Sequence, residues 1–252
     1  MDVQTWQIVA VFFLTLGASL FSGMAGGGGG FIMLPILIAL GLSPQQAVAT
    51  NKLSAFGIGF GSIAAFRKKS FANPRLLAFF VAIAAIISLF IPHIFRQLSG
   101  KSFQIILGLI ILALIPVVIS EKSGLEQRAT SLSKKTVGTI LIIAVLFLQG
   151  LFSGGLGSLN NVLLISFFGL SALQANAMRR VVTLALNTFI VIALIATTHF
   201  IIYKFALTGM VGSFLGGYLG SRIAIQKGEQ FAKYALAVFM LVSGTWLLVT
   251  AG

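Results

Sequence analysis

Long apolar stretches fill almost the whole chain, and their length is the feature that most limits how it can fold. A helix needs about 20 apolar residues to cross the hydrocarbon core of a bilayer, which is about 30 Å thick. The sequence contains eight segments of this kind, joined by short connections: Trp6–Met24, Pro44–Phe66, Arg75–Phe95, Ser102–Ile119, Thr136–Ser153, Leu173–Phe200, Lys204–Ile223 and Gln230–Thr250. We therefore expect an all-α membrane protein without a soluble domain, embedded in the lipid bilayer.

Two shorter apolar segments lie between the long ones, at Gly27–Leu42 and Gly157–Leu170. At a rise of about 1.5 Å per residue they are roughly 20–24 Å long, so each is either a half-helix or a thin span. If both cross the membrane, the chain makes about ten passes, eight long and two short.

The charge composition supports a membrane setting. The 252 residues include only 17 basic and 4 acidic ones, whereas about 25% of a soluble domain is charged. This scarcity excludes a soluble enzyme, and a hydrophobic content of 58% excludes disorder. The net charge of +13 comes mainly from residues between apolar runs, where it sets membrane orientation rather than indicating a nucleic-acid partner. The absence of cysteine excludes disulfides and thiolate metal sites.

The sequence contains an internal repeat. Leu20-Phe21-Ser22-Gly23 recurs 131 positions later as residues 151–154, and Gly41-Leu42-Ser43 recurs 128 positions later as residues 169–171. At the second offset four further positions match: Gln46 with Gln174, Ala47 with Ala175, Ala49 with Ala177 and Lys52 with Arg180. We therefore predict a first transmembrane repeat at residues 1–120, a charged cytoplasmic linker at 121–135 and a second repeat at 136–252.

Five passes per repeat is an odd number, so the second repeat must enter the membrane from the opposite side, as in many transporters. Cytoplasmic loops carry an excess of Lys and Arg. Ten passes place on one side Arg67, Lys68, Lys69, Arg75, Lys122, Arg128, Lys134, Lys135, Arg222, Lys227 and Lys233, and on the other only Arg96, Lys101 and Lys204. This distribution favours two inverted five-helix repeats in a bacterial inner membrane, with both termini outside the cytoplasm.

Three cations, Lys52, Arg179 and Arg180, lie inside apolar spans, whereas all four carboxylates lie near ends or in loops. An intramembrane charge is costly and usually functional. Lys52 is about 12 Å along a helix that starts at Pro44, and Arg180 is at a similar depth in the other repeat. The lack of intramembrane carboxylates argues against a Na⁺ or metal-cation substrate, and we expect no metal site. Snorkelling of these side chains and structural pairing with backbone carbonyls remain alternatives.

The glycine run Gly26–Gly30 cannot form a stable helix interior. It leaves backbone N–H groups exposed before a helix that begins near Phe31, and such a helix N-terminus attracts anions. The predicted donors are the backbone of Gly27, Gly28, Gly29 and Gly30 and, in the second half, the side chains of Ser158, Asn160 and Asn161. Close helix packing through small residues is the alternative interpretation of the glycines.

Further polar residues accompany the cations. Asn176, Arg180, Thr183 and Asn187 are spaced four, three and four residues apart, which places them on one helical stripe. A polar stripe within a bilayer faces protein or a cavity, although an interhelical hydrogen bond can explain any single member. The predicted substrate-binding residues near the cations are Thr50, Asn51, Lys52, Arg179, Arg180, Thr183 and Asn187.

Another glycine-rich segment has spacing typical of close helix packing, with Gly212, Gly216, Gly217 and Gly220 on one helix. The histidines, His93 and His199, are at span ends and form no metal motif.

The sequence resembles the sulfite exporter TauE/SafE family of bacterial membrane proteins over nearly its whole length. The residues that carry the resemblance are Gly23-Met24-Ala25 with the glycine run, Pro35, Gly41, residues 47–52 (AVATNK) and residues 153–157 (SGGLG). The resemblance implies transport of small anions, such as sulfite or organosulfonates like sulfoacetate. The second half departs from the family pattern, because Gly-Ser-Leu-Asn-Asn stands where a glycine run and a later proline are usual.

Together these features predict a secondary transporter that moves a small anion, either a sulfite-like oxyanion or an organosulfonate or carboxylate, by alternating access. An anion channel with the same cationic pore is the alternative. An enzyme acting on a lipid phosphate is disfavoured, because no carboxylate, cysteine or histidine lies within the membrane as a base. We expect no catalytic residue and no cofactor. Coupling to protons through a titrating substrate, and assembly as a homodimer, are left open.

Overall fold

The computed structural model describes residues 4–25, 29–66, 74–97, 100–116, 131–152, 156–227 and 230–251, and these residues contain ten helices and no strand. The first five helices are α1 (Thr5–Ala25), α2 (Gly29–Ala39), α3 (Pro44–Phe66), α4 (Pro74–Gln97) and α5 (Gly100–Ala113). The other five are α6 (Leu132–Phe152), α7 (Gly157–Phe168), α8 (Ala172–Thr197), α9 (Tyr203–Lys227) and α10 (Gln230–Ala251). The prediction of an all-α protein is confirmed for this part of the chain.

The helix bounds follow the predicted segments closely, with three differences. Helix α9 ends at Lys227, four residues beyond the predicted Ile223. Helix α6 begins at Leu132, so its first turn lies within the predicted linker 121–135. Helix α5 ends at Ala113, within the predicted span to Ile119; residues 115–116 are helical again, and residues 117–119 of that span lie outside the described residues. Pro116 lacks the amide that would bond the carbonyl of Leu112, which explains an interruption there. The rest of the linker, residues 121–130, lies outside the described residues.

Four helical segments are long and apolar enough to cross a membrane: Thr5–Met24, Pro74–Gln97, Leu132–Phe152 and Gln174–Thr197. Shorter apolar helices occur at Gly29–Ala39, Gly100–Ala113, Leu159–Phe168 and Ala237–Thr250. Many large apolar side chains, among them Phe13, Ile86 and Leu89, are exposed on the outer faces of the helices. An apolar exterior of this extent suits contact with lipid rather than with water.

Helices α3 and α8 begin in the same way. In α3 the backbone N–H of Ser43 donates to Gln46 Oε1 (3.0 Å) and that of Gln46 donates to Ser43 Oγ (3.3 Å). Ser171 and Gln174 make the equivalent two bonds at the start of α8, at 3.1 and 3.2 Å. Each pair is a capping box, which satisfies amides that have no partner within the helix.

A glycine with positive φ precedes each of these caps, Gly41 (φ 94°) before α3 and Gly169 (φ 67°) before α8. Glycine adopts this left-handed conformation without steric penalty. The chain therefore turns and restarts similarly in both halves, and it carries Lys52 and Arg180 to equivalent positions within their helices.

Glycines allow α9 to pack closely along α1 and α3. A Cβ on Gly212, Gly216 or Gly220 would overlap the carbonyl oxygens of Phe12, Leu16 or Leu20, respectively, in α1. Gly217 faces the backbone of Ile58 in α3. The prediction that these four glycines serve helix packing is confirmed. Helix α4 packs on α8, α5 packs on α10, and α3 also contacts α8.

Candidate functional site

A cavity of about 100 Å³ lies among the helices and is lined by residues of α1, α2, α3, α6, α7, α8 and α9. One water molecule needs roughly 10–15 Å³ of such space. The cavity therefore has room for a small polyatomic ion with some of its water.

Two arginines of α8 line this cavity and are held in place by hydrogen bonds. Arg179 donates from Nε to Asn161 Oδ1 (3.1 Å) and from Nη2 to Asn176 Oδ1 (2.9 Å). Arg180 donates from Nε to the same Asn176 oxygen (2.9 Å) and from Nη2 to the Gly23 carbonyl (3.3 Å). Because Asn176 receives both guanidinium groups, the two positive charges lie side by side.

The described lining of the cavity contains these arginines and no acidic residue. All four carboxylates of the chain belong to residues outside the described ranges. Among the described residues there is also no group of three or more His, Asp or Glu side chains that could hold a metal ion. A lining with this charge raises the local concentration of anions.

Helix N-termini add further donors to the lining. Gly29 and Gly30 form the first turn of α2, and Gly157 starts α7; all three line the cavity. The first four N–H groups of a helix lack intrahelical partners, and this end carries a partial positive charge. The N-cap of α7, Leu156, makes no side-chain hydrogen bond that would occupy these amides. Both helix starts are therefore suited to binding an anion.

Gly29 also marks a close approach between helices. A Cβ at this position would lie 2.9 Å from the Cβ of Ser22 in α1. Glycine at the start of α2 therefore lets its amides approach α1 at the cavity. Gly27 and Gly28, the other two predicted glycine donors, lie outside the described residues.

Gln149 of α6 lines the cavity and was not among the predicted site residues. Its Nε2 donates to Thr183 Oγ1, and its Oε1 accepts from Asn160 Nδ2, both at 3.2 Å. Its backbone carbonyl accepts from Lys52 Nζ, also at 3.2 Å. A single amide side chain in an otherwise apolar span is the sequence signal that could have identified it.

The structure does not bring all the predicted residues to the cavity. Lys52 is fully buried and lies outside the lining, bonded to the Gln149 carbonyl. This position agrees with the alternative of pairing with a backbone carbonyl. Thr50 is also fully buried away from the cavity, and its Oγ1 accepts from the N–H of Ile202 (3.0 Å). Asn51, between them, lines the cavity.

The predicted asparagines of α7 contact neighbouring side chains rather than the main cavity. Asn161 holds Arg179, and Asn160 donates to Gln149. Asn160 Oδ1 is buried without a hydrogen-bond partner among the described residues, beside a cavity of about 10 Å³ that Arg179 also lines. The side chain of the third predicted residue in this helix, Ser158, is not among those described.

Hydroxyl groups form a part of the lining that was not predicted from the sequence. Thr15, Ser19 and Ser22 of α1, four and three residues apart, all line the cavity. Thr15 donates to the carbonyl of Val11 (2.6 Å) in its own helix. Ser19, Ser22 and the predicted Asn187 of α8 line the cavity without hydrogen bonds to other described residues, so their polar groups are available to a ligand.

Comparison with known families matches the sulfite exporter TauE/SafE family over residues 11–247. The chain belongs to this family. The sequence-based recognition of TauE/SafE is thereby confirmed. No solved structure matches the chain.

Several TauE/SafE relatives are similar over almost their whole length. A "Probable membrane transporter protein" of Haemophilus influenzae is 27% identical over 246 residues, 96% of each chain. A protein of that description from Bacillus subtilis, YjnA, is 28% identical over 258 residues, covering 95% of this chain and 99% of the relative. YfcA of Escherichia coli K12, described in the same words, is 24% identical over 239 residues, covering 94% of this chain and 88% of the relative. The family and the apolar helices together identify a multi-pass membrane protein with a transporter role.

Proposed function

We propose that this TauE/SafE protein is a secondary transporter that moves a small anion across a bacterial inner membrane by alternating access. The observation that carries the proposal is the cavity in which Arg179 and Arg180 meet the N-termini of α2 and α7, with no acidic residue in the described lining. Fixed cations and oriented amides stabilise a negative charge in a low-dielectric site without reorganisation.

The proposed architecture is a ten-pass bundle of two inverted repeats, residues 1–120 and 136–252, with a cytoplasmic linker at 121–135. The equivalent capping boxes of α3 and α8 support it. The packing supports it too, because α3 contacts α9 and α8 contacts α4, the fourth helix of the opposite half in each case. Rocking of one half against the other around a central site would give alternating access.

The roles within the site follow from the bonds already described. Arg179 and Arg180 offset the substrate charge, and the amides of Gly29, Gly30 and Gly157 bind its oxygens. Asn51, Thr183 and Asn187 complete the polar wall. In the present conformation Lys52 supports this wall through Gln149 instead of touching the substrate.

The lining also has an apolar part, formed by Met33, Ile58 and Leu184 among others. A polar end beside an apolar wall accommodates a sulfite-like oxyanion and equally a small organosulfonate or carboxylate with a short carbon chain. We therefore propose this group of anions as the substrate class.

Flux into proteoliposomes tests the proposal, with sulfite, sulfoacetate and acetate as substrates. Truncating one partner of a buried charge pair costs roughly 2–5 kcal/mol, so we expect R180Q to lower flux at least about 30-fold. R222Q is the matched control, because Arg222 is exposed and bonds Tyr218 away from the cavity. Wild-type flux in R180Q, or no flux of any of the three anions in the wild type, would refute the proposal.

The alternative anion channel predicts a different electrical signature. A channel gives discrete single-molecule current steps in a planar bilayer, whereas alternating access moves too few ions per cycle for such steps. Current steps that R180Q abolishes would establish the channel in place of the transporter.

A further inference from the structure

The cavity is elongated and follows the axes of two helices. Thr15 and Ser22, both in the lining, are seven residues apart on α1, and Arg180 and Asn187 are seven residues apart on α8. At 1.5 Å per residue each pair spans about 10 Å. The cavity therefore has two ends, which different side chains surround.

One end contains the positive charges. Arg180 donates to the carbonyl of Gly23, the residue after Ser22 in α1. A Cβ on Gly29, at the start of α2, would lie 2.9 Å from the Cβ of Ser22. Arg179 shares Asn176 with Arg180 and lies beside it. We call this group, Arg179, Arg180, Gly29 and Ser22, the cationic end.

Hydroxyl groups of three helices meet at the other end. A Cβ on Gly209 would lie 2.6 Å from Ser54 Oγ and 3.2 Å from Thr15 Cγ2, so α1 and α3 approach each other here. Ser213 of α9 donates from Oγ to the Ser54 carbonyl. All three hydroxyl residues line the cavity and are uncharged. We call Thr15, Ser54 and Ser213, together with Asn187, the neutral end.

The course of α8 places Asn187 at the neutral end. A Cβ on Gly59 of α3 would lie 2.8 Å from Leu184 Cδ1, so Leu184 contacts α3 five residues beyond Ser54. Arg180 precedes Leu184 on α8 and lies at the cationic end. Asn187 follows Leu184 and therefore lies on the opposite side of it, toward Ser54.

Asn187 is a buried amide directed at the cavity. It is 6% exposed, lines the cavity and makes no hydrogen bond to another described residue. Leaving such a group unsatisfied in a buried site costs free energy. An amide offers one acceptor and two donors and carries no charge. It therefore matches a neutral ligand group, such as a hydroxyl or a carboxamide.

The part of the cavity between the two ends is apolar. Ile58 and Leu184 line it, and Gly59 beside them leaves space that a larger side chain would fill. This middle part suits a short carbon chain, because apolar surface there is removed from water.

We infer that the site takes an elongated anion whose charged group binds at the cationic end and whose distal, uncharged polar group hydrogen-bonds to Asn187. Asn187 is then a specificity-determining residue that selects anions with this second group. The inference rests on the proposed function, because it needs the arginines to hold the anionic group.

Binding to the detergent-purified protein, measured by calorimetry, tests the inference. The probes are alkane-1-sulfonates of two to four carbons and their ω-hydroxy counterparts. Where a buried polar group loses its partner, affinity falls substantially. We therefore expect the wild type to bind the hydroxy compound at least about tenfold more tightly than the matched alkane at the chain length that spans the cavity.

Two variants separate the two ends. N187L should lower the affinity for the hydroxy compound at least about tenfold and leave that for the alkanesulfonate unchanged or higher. R180Q should weaken binding of both compounds and keep their ratio. T188V is the matched control, because Thr188 is the next residue of α8, bonds the Leu184 carbonyl of its own helix and does not line the cavity. It should leave both affinities as they are in the wild type.

Several results would overturn the inference. Equal binding of the paired compounds by the wild type at every length is one, and it decides the matter even if N187L does not fold. Equal loss of both affinities in N187L would show a structural role for Asn187. Tighter binding of 3-sulfopropanoate than of 3-hydroxypropane-1-sulfonate would show that the distal group is charged.

These failures are distinct from failure of the proposed function. If the paired sulfonates bind equally and flux of sulfite still depends on Arg180, the anion transporter stands and the role of Asn187 is refuted. If no anion is transported and no sulfonate binds, both proposals are refuted.

Discussion

Polar side chains around the cavity are held mainly by one another, and Gln149 joins three of them. Its side chain bonds Thr183 and Asn160, and its carbonyl bonds Lys52. A buried network of this kind is stable only when its members are satisfied. Changes at Gln149 should therefore separate the effect of charge from the effect of lost hydrogen bonds.

The isosteric variant Q149E keeps the acceptor for Asn160, and the Thr183 hydroxyl can rotate to donate to the new carboxylate. It also puts a negative charge at the lining beside the arginines. We expect anion affinity to fall at least about tenfold, which is about 1.4 kcal/mol, with little loss of thermal stability. Binding of sulfoacetate to the detergent-purified protein, measured by calorimetry, checks this. Unchanged affinity would show that Gln149 lies away from the substrate.

A matched control for that charge change is Q104E in α5. Gln104 donates to the Leu247 carbonyl (3.1 Å) and does not line the cavity. The same substitution there should leave sulfoacetate affinity as it is in the wild type.

Individual site residues were predictable to different degrees from the sequence. Charge within an apolar span and spacing along one stripe identified Arg179, Arg180 and Asn187, which line the cavity. The same reasoning selected Lys52, which lies outside the lining and donates to the backbone carbonyl of Gln149. Helical spacing shows which face of its own helix a side chain occupies, but not which helix packs against that face. Gln149 was missed for another reason, because a single amide in an apolar span was not counted as a signal.

At the scale of the helices, most bounds were predictable because they depend on local sequence. Pro44–Phe66 agrees at both ends, since a capping box and a positive-φ glycine fix its start. The interruption of the helix after Ala113 was not predicted, because that span was assigned from its apolar composition without regard to Pro116. Which helices pack together depends on long-range contacts that periodicity does not contain.

The close packing of α9 on α1 gives a test at this scale. A Cβ at Gly216 would overlap the Leu16 carbonyl and lie close to Leu20, whereas a Cβ at Gly17 of α1 would have no neighbour within 4 Å. Overpacking costs typically 1–3 kcal/mol, so G216A should lower the thermal unfolding midpoint. Replacing Gly by Ala in an open helical position is neutral or stabilising, so G17A should not lower it. Equal midpoints for both variants would contradict this packing.

At the scale of the whole molecule, the proposed pass count depends on the short helix α2 crossing the membrane. If α2 crosses, the N-terminus and the connection between α4 and α5 lie on the same side. If α2 re-enters instead, they lie on opposite sides. This comparison is independent of the overall orientation, and it therefore tests the proposed pass count directly.

Exposed positions for this test are Gln4, Ser102 and Ser131. In the cysteine-free background, Q4C and S102C should react with a membrane-impermeant maleimide in intact cells, and S131C should react only after permeabilisation. The reason is that the excess of Lys and Arg belongs on the cytoplasmic side, where the proposal places Ser131. Labelling of Q4C and S102C from opposite sides would mean that α2 does not cross. The inverted arrangement of the halves would then have to be abandoned.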